Sequence, residues 1–90
     1  MKFLVTGGAG FIGSALVKYL INEIKSEVMV LDKLSYAGSL SNLNTVIKNK
    51  NFIFKKVDVC NFDDVFDCIK FFKPNKIMHL AAESHVDRSI

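Results

Sequence analysis

Apolar residues first gather in a short run, Phe3-Leu4-Val5, which leads directly into Thr6-Gly7-Gly8-Ala9-Gly10-Phe11-Ile12-Gly13. A brief apolar run bounded by glycines reads as a buried strand and the turn that follows it. Behind the turn, Ile12, Leu16 and Leu20 recur at helical spacing, with Ala15 and Tyr19 beside them. That stripe predicts a helix from about Phe11 to Ile24, with those residues facing the core. Val28-Met29-Val30-Leu31 is a second uninterrupted apolar run, as in a strand covered on both faces, and it closes on Asp32. Lys33 to Ser41 is small and polar and reads as a loop, with a weak helix expected from about Leu40 to Lys48. Phe52 to Val57 alternates less cleanly but ends in Asp58, where a parallel strand would deliver a side chain to its carboxyl edge.

Asn61 is a natural N-cap, with Asp63 and Asp64 complementing the helix dipole in the first turn. Phe62, Val65, Phe66, Ile69 and Phe72 then repeat on one helical face until Pro74 stops the helix. Ile77 to Ala81 reads as a fourth strand. Strands and helices thus alternate, and right-handed crossovers turn that alternation into an α/β fold. The expected architecture is a Rossmann-type doubly wound parallel sheet of order 3-2-1-4. Residues 1–90 form one partial dinucleotide-binding domain, with no linker or internal boundary. Ligands of such sheets sit beyond the carboxyl ends of the strands, at the switch point between strands 1 and 4. Gly7, Asp32, Asp58 and Ala81 all fall at those ends.

The turn has the chemistry for that position. Gly8, Gly10 and Gly13 satisfy G-x-G-x-x-G, and Gly7, Gly10 and Gly13 satisfy G-x-x-G-x-x-G. Such a tight turn needs a positive φ, which glycine adopts without a Cβ penalty. Missing side chains let the backbone approach a pyrophosphate, and Gly13 lets the helix lie close to the strand. The free N–H groups and dipole of the helix start then face the phosphates. Asp32, nineteen residues after Gly13, can accept hydrogen bonds from both hydroxyls of an adenosine ribose. A 2′-phosphate about 4 Å from that carboxylate would cost roughly 4 kcal/mol at an effective dielectric near 20. NAD is therefore expected over NADP, with Lys33 softening the repulsion.

Composition narrows the classes that remain. Half of the 90 residues are apolar, which excludes a disordered chain. No apolar run approaches the roughly 20 residues that span a bilayer. Glycines interrupt the only leader-like stretch at the start, so a cytoplasmic location is expected and no membrane partner. The net charge of +3 comes from eleven lysines and one arginine scattered along the chain. Nucleic-acid binding would want them gathered on one face, so no nucleic-acid partner is expected. Cys60 and Cys68 form no C-x-x-C pair and read as reduced, partly buried thiols. No metal site is expected, because His79 and His85 add too few ligands. His79, inside an apolar strand, reads as a hydrogen-bonded core histidine.

The closing text His79-Leu80-Ala81-Ala82-Glu83-Ser84-His85-Val86-Asp87-Arg88-Ser89-Ile90 is more specific than the glycine turn. With Val5 to Gly13 and Asp32-Lys33-Leu34-Ser35-Tyr36-Ala37-Gly38, it resembles the opening of the dTDP-glucose 4,6-dehydratases. These belong to the extended short-chain dehydrogenase/reductase family, whose UDP-sugar epimerases share the glycine turn but read differently over Ala82 to Ile90. The resemblance covers the whole chain and about the first quarter of such an enzyme.

It implies NAD as cofactor, with Phe11 and Ile12 meeting the pyrophosphate beside Gly7, Gly10 and Gly13. Asp32, Lys33, Leu34 and Ser35 would hold the adenosine ribose, and Asp58 and Val59 would frame the adenine. Leu80, Ala81, Ala82, Glu83 and Ser84 would line the inner ribose and nicotinamide path, Ser84 also facing the dTDP-glucose substrate. His85, Asp87 and Arg88 would order the loop near the substrate mouth. The implied reaction is an internal redox cycle on dTDP-glucose in a homodimeric parent enzyme of deoxysugar and rhamnose synthesis. A hydride leaves C4 for the cofactor, water is lost across C5 and C6, and the hydride returns at C6. The family's Tyr-x-x-x-Lys pair has no counterpart here, because neither Tyr19 nor Tyr36 is followed four residues later by lysine. No catalytic residue is therefore expected within these residues, nor the substrate domain. A truncated, catalytically inactive nucleotide-binding remnant is the alternative reading.

Overall fold

Alternating strands and helices build the chain, a computed structural model of which describes residues 1–33 and 40–80. The strands are β1 (Lys2–Thr6), β2 (Glu27–Asp32), β3 (Phe52–Lys56) and β4 (Lys76–His79), and the helices are α1 (Phe11–Asn22) and α2 (Phe62–Phe72). They form one parallel sheet of order β3-β2-β1-β4, as the alternation predicts. Val5 sits centrally, opposite Val30 of β2 on one side and Met78 of β4 on the other.

Side chains alternate across a strand, so the two central strands feed two cores. Phe3, Val5, Val28 and Val30 pack with Val17, Leu20 and Ile21 of α1 on one face. Leu4, Met29 and Leu31 pack with Phe72 of α2 on the other. Leu4, Val5 and all four residues from Val28 to Leu31 are fully buried, which accounts for their unbroken apolar runs.

The faces of both helices differ from the expected stripes. On α1 the buried residues are Gly13, Ser14, Val17, Leu20 and Ile21, while Ile12 and Tyr19 are exposed. Gly13 decides this rotation. Its bare Cα is pressed against Gly7 and Gly8, just beyond β1, which turns the 13-17-20-21 side inward. On α2, Phe72 is buried and Val65, Cys68 and Ile69 pack partly against the sheet, but Phe62 and Phe66 lie in solvent.

The weak helix is absent as such. One 3₁₀ turn, Leu40–Leu43, is followed by further turns, with Leu43 and Val46 fully buried beside α1. Two apolar anchors hold that segment without a continuous helical face. Asn61 caps α2 as expected, its Oδ1 accepting the Asp64 N–H at 3.2 Å. The helix closes through Lys73, whose φ of 54° lies in the left-handed region. Among the described residues no helix is long and apolar enough to cross a membrane.

Candidate functional site

The carboxyl ends of the strands carry the glycine turn, which is fixed by backbone bonds at both ends. Gly7 has a φ of 74°. Its N–H donates to Leu31 O at 2.8 Å and its carbonyl accepts the Gly10 N–H at 3.2 Å. Close packing explains two further glycines. A Cβ on Gly8 would meet both methyls of Val30 at 2.8 and 2.9 Å. A Cβ on Gly13 would lie 2.9 Å from Gly8 Cα, with Gly7 O nearer still.

The N-terminus of α1 is left bare by this arrangement. Gly10 offers no side-chain cap and no acidic residue occupies the first turn. The first N–H groups of a helix lack intrahelical acceptors, so those of Phe11 and Ile12 present unneutralised donors. Both side chains are exposed. The contrast with α2 is instructive, because there Asn61, Asp63 and Asp64 cap and neutralise the same feature. One helix start is capped and neutralised, and the other is left open to an anion.

Asp32, at the tip of β2, is buried, and its Oδ2 accepts the Ala9 N–H at 3.1 Å. The acid therefore lies against the turn. Asn42 Nδ2 donates to Ala9 O at 3.0 Å. Asp58 is exposed just beyond β3, and its Oδ1 accepts the Cys60 N–H at 2.9 Å. That hydrogen bond, opposed by desolvation and reinforced by the charge of Lys33, holds its carboxyl below the ordinary 3.8. Lys33 is exposed and Val59 half-buried along the same edge.

At the switch point, β1 and β4 are tied by a side chain. Thr6 Oγ1 lies 2.7 Å from His79 Nδ1 and accepts the Leu80 N–H at 3.1 Å. His79 is hydrogen-bonded as expected, yet it is exposed and belongs to neither core. β4 ends the sheet among the described residues, which leaves that side of the ring open. Cys68 is half-buried and its thiol is pushed up by desolvation, whereas Cys60 is exposed, against the expectation that both are partly buried.

The fold thus gathers Gly7, Gly10, Phe11, Ile12, Gly13, Asp32, Lys33, Asp58, Val59 and Leu80 along one edge. Leu34, Ser35, Ala81, Ala82, Glu83 and Ser84 lie outside the described residues. Asn42 and Thr6 were not singled out by the sequence. Thr6 carried a faint signal as the hydroxyl ending an apolar strand before the glycines. Asn42 carried none.

A family model for GDP-mannose 4,6 dehydratase matches residues 4–90. The chain belongs to that family. It is 50% identical over all 90 residues to the dTDP-glucose 4,6-dehydratase of Haemophilus influenzae, covering 27% of that protein. Its fold is similar to the crystal structure of the Bacillus anthracis dTDP-glucose 4,6-dehydratase in complex with NAD, with a TM-score of 0.87 and 36% identity. That match covers 93% of this chain and 27% of the other. The Thermus thermophilus UDP-glucose 4-epimerase complex with NAD is also similar, with a TM-score of 0.74 and 38% identity over 90% of this chain and 24% of the epimerase. The chain spans about a quarter of the length of the curated relatives it matches.

Proposed function

We propose that this chain is the N-terminal, NAD-binding part of a dTDP-glucose 4,6-dehydratase. The reading is carried by similarity to those enzymes over every residue, with the glycine turn, the bare α1 N-terminus and Asp32 gathered at one edge. The residues present fit the cofactor. Phe11 and Ile12 N–H groups take the pyrophosphate, since no acid in that turn competes for it. Asp32 takes the ribose hydroxyls and disfavours a 2′-phosphate. Lys33, Leu34 and Ser35 complete the ribose end, and Asp58 and Val59 frame the adenine. By the same resemblance Leu80, Ala81, Ala82, Glu83 and Ser84 would serve the nicotinamide end, and Ser84 also the sugar nucleotide.

Bound there, NAD supplies the hydride acceptor and donor for converting dTDP-glucose to dTDP-4-keto-6-deoxyglucose and water. The residues described here bind and orient, and none of them moves the substrate proton. Deprotonation of the 4-hydroxyl and elimination of water fall to the remainder of such an enzyme. The same reading assigns the protein to cytoplasmic deoxysugar synthesis as a homodimer.

Two measurements test it. Calorimetric titration gives tighter binding of NAD than of NADP, and Asp32→Ala loses NAD affinity. NADP preference, or unchanged NAD binding by that variant, refutes the cofactor assignment. Incubating the full-length protein with dTDP-glucose and NAD yields the 4-keto product. An epimer of a UDP-sugar as the sole product would instead assign the chain to the epimerases. NAD binding without turnover of either sugar nucleotide would leave a nucleotide-binding remnant.

A further inference from the structure

We propose that Asn42 is a positioning residue for the phosphate-binding turn. This rests on the nucleotide-binding reading above and adds to it a residue from an element that carries no glycine and no strand end. The turn contains one peptide unit on which the direction of the following donors depends, that between Ala9 and Gly10. Its N–H is held by Gly7 O at 3.2 Å and its C=O by Asn42 Nδ2 at 3.0 Å. Just before it, the Ala9 N–H is held by Asp32 Oδ2 at 3.1 Å. Ala9 is fully buried, so its carbonyl has no water to replace a lost donor.

Two bonds on this peptide and one on the peptide before it, drawn from three parts of the chain, therefore hold the orientation that sets Gly10 at φ −73° and ψ 176° and aims the Phe11 and Ile12 N–H groups outward. Two of the three are expected of such a turn: the glycine's own backbone and the acid ending the second strand. The third is not. It reaches Ala9 because Leu43 and Val46 anchor the 3₁₀ turn in the core beside α1, which brings Asn42 to the back of the glycine turn.

The chemistry fits a positioning role. Asn42 donates to the Ala9 carbonyl, so its bond acts on the orientation of that peptide. Glycine-rich backbone without such a partner samples several peptide orientations, and a ligand would have to select one of them. Holding the orientation beforehand removes that ordering cost from binding. The effect is confined to ligands that use the α1 N-terminus. Adenosine, which has no phosphate, meets Asp32 and Asp58 but not the bare N–H groups, and is insensitive to how they point.

The test uses the full-length protein, with calorimetric titration of NAD and competition by adenosine, on wild type, Asn42→Leu and Asn42→Ala. Leu keeps the branched outline and heavy-atom count of Asn and Ala does not, while both remove the donor. Both variants are expected to lose NAD affinity about tenfold, close to 1.4 kcal/mol, with adenosine affinity within a factor of about two. Equal losses for NAD and adenosine would reduce Asn42 to a stability residue and overturn the proposal. So would a loss seen with Ala but not Leu, which would assign the effect to packing, and so would unchanged NAD binding in both variants. A wild-type protein that binds neither ligand would overturn the nucleotide-binding reading together with this one. A wild-type protein that binds NAD while the variants bind it equally well would overturn this proposal alone.

Discussion

Replacing Gly13 with alanine sets two effects of opposite sign against each other. Gly13 is the third residue of α1, and glycine inside a helix costs about 1 kcal/mol relative to alanine. From propensity alone, Gly13→Ala would stabilise. The packing opposes it. The new Cβ would lie 2.9 Å from Gly8 Cα and 3.1 Å from Gly7 C, with Gly7 O nearer still. Carbon atoms prefer separations of roughly 3.5–4.0 Å, so relief requires the helix start to move outward by about half an ångström or more. All three neighbours are backbone, and Gly7 is itself tied to Leu31 O, so no rotamer change can absorb the contact.

Overpacking costs about 1–3 kcal/mol, and a clash against rigid backbone belongs at the upper end. The net loss is then about 2 kcal/mol. At 4–8 °C per kcal/mol for a chain of this size, the melting temperature falls by roughly 8–16 °C. Thermal and urea unfolding followed by circular dichroism measure it. A melting temperature that stays level or rises would mean that propensity outweighs the close approach, and the role given to Gly13 would be wrong.

Lys73→Gly should stabilise by about 0.5–1 kcal/mol, because the αL cap costs lysine more than the backbone entropy that glycine adds to the unfolded state; a lower urea midpoint refutes it. The Asp58 carboxyl, observed by NMR, should titrate below the ordinary 3.8, and Asp58→Asn should remove the shift's contribution. Because the folded value is depressed, that stability is present above the unfolded value and is lost as pH falls through the folded one, so the variant differs from wild type only above that acid range. A midpoint at or above 3.8 refutes it. In the neutral His79 ring the proton should sit on Nε2, since the Thr6 hydroxyl already accepts from Leu80 N–H and has no acceptor other than Nδ1 among the described residues. Nitrogen-15 shifts that put it on Nδ1, or that are unmoved by Thr6→Val, contradict the hydrogen-bond arrangement.

Much of the site could be read along the chain because its parts are local. Gly7 to Gly13 form one contiguous turn, and Asp32 ends the next apolar run, so strand, turn, helix and acid follow from a single βαβ unit. The Asn61 cap is equally local, since its acceptor reaches a backbone N–H three residues away. The sheet order followed from alternation and crossover handedness, rules that act over whole elements.

What failed in sequence involved faces and distant partners. The period of α1 was legible but its phase was not. A helix with apolar residues at 12, 16 and 20 and at 17, 20 and 21 has two acceptable sides, and Gly13 adds nothing to an apolar stripe. The phase was decided by how closely Gly13 can lie against Gly7 and Gly8, a contact between two elements. Phe62 and Phe66 kept the helical period of α2 and still faced solvent, because the side turned to the sheet is the one that carries Val65, Cys68, Ile69 and Phe72.

The 74-residue span between Thr6 and Leu80 and the 33-residue span between Ala9 and Asn42 are the same case. Neither Thr6 nor Asn42 is marked by the glycine spacing, and each acquires its role only when the sheet or the 3₁₀ turn carries it to a partner. The sequence by itself determined which elements form, their order and the composition of the glycine turn, since those depend on neighbouring residues and on the handedness of the chain. Only the tertiary structure decided which helix faces are buried and which distant polar groups hold the turn, because burial and hydrogen bonding across elements depend on where the whole sheet leaves room.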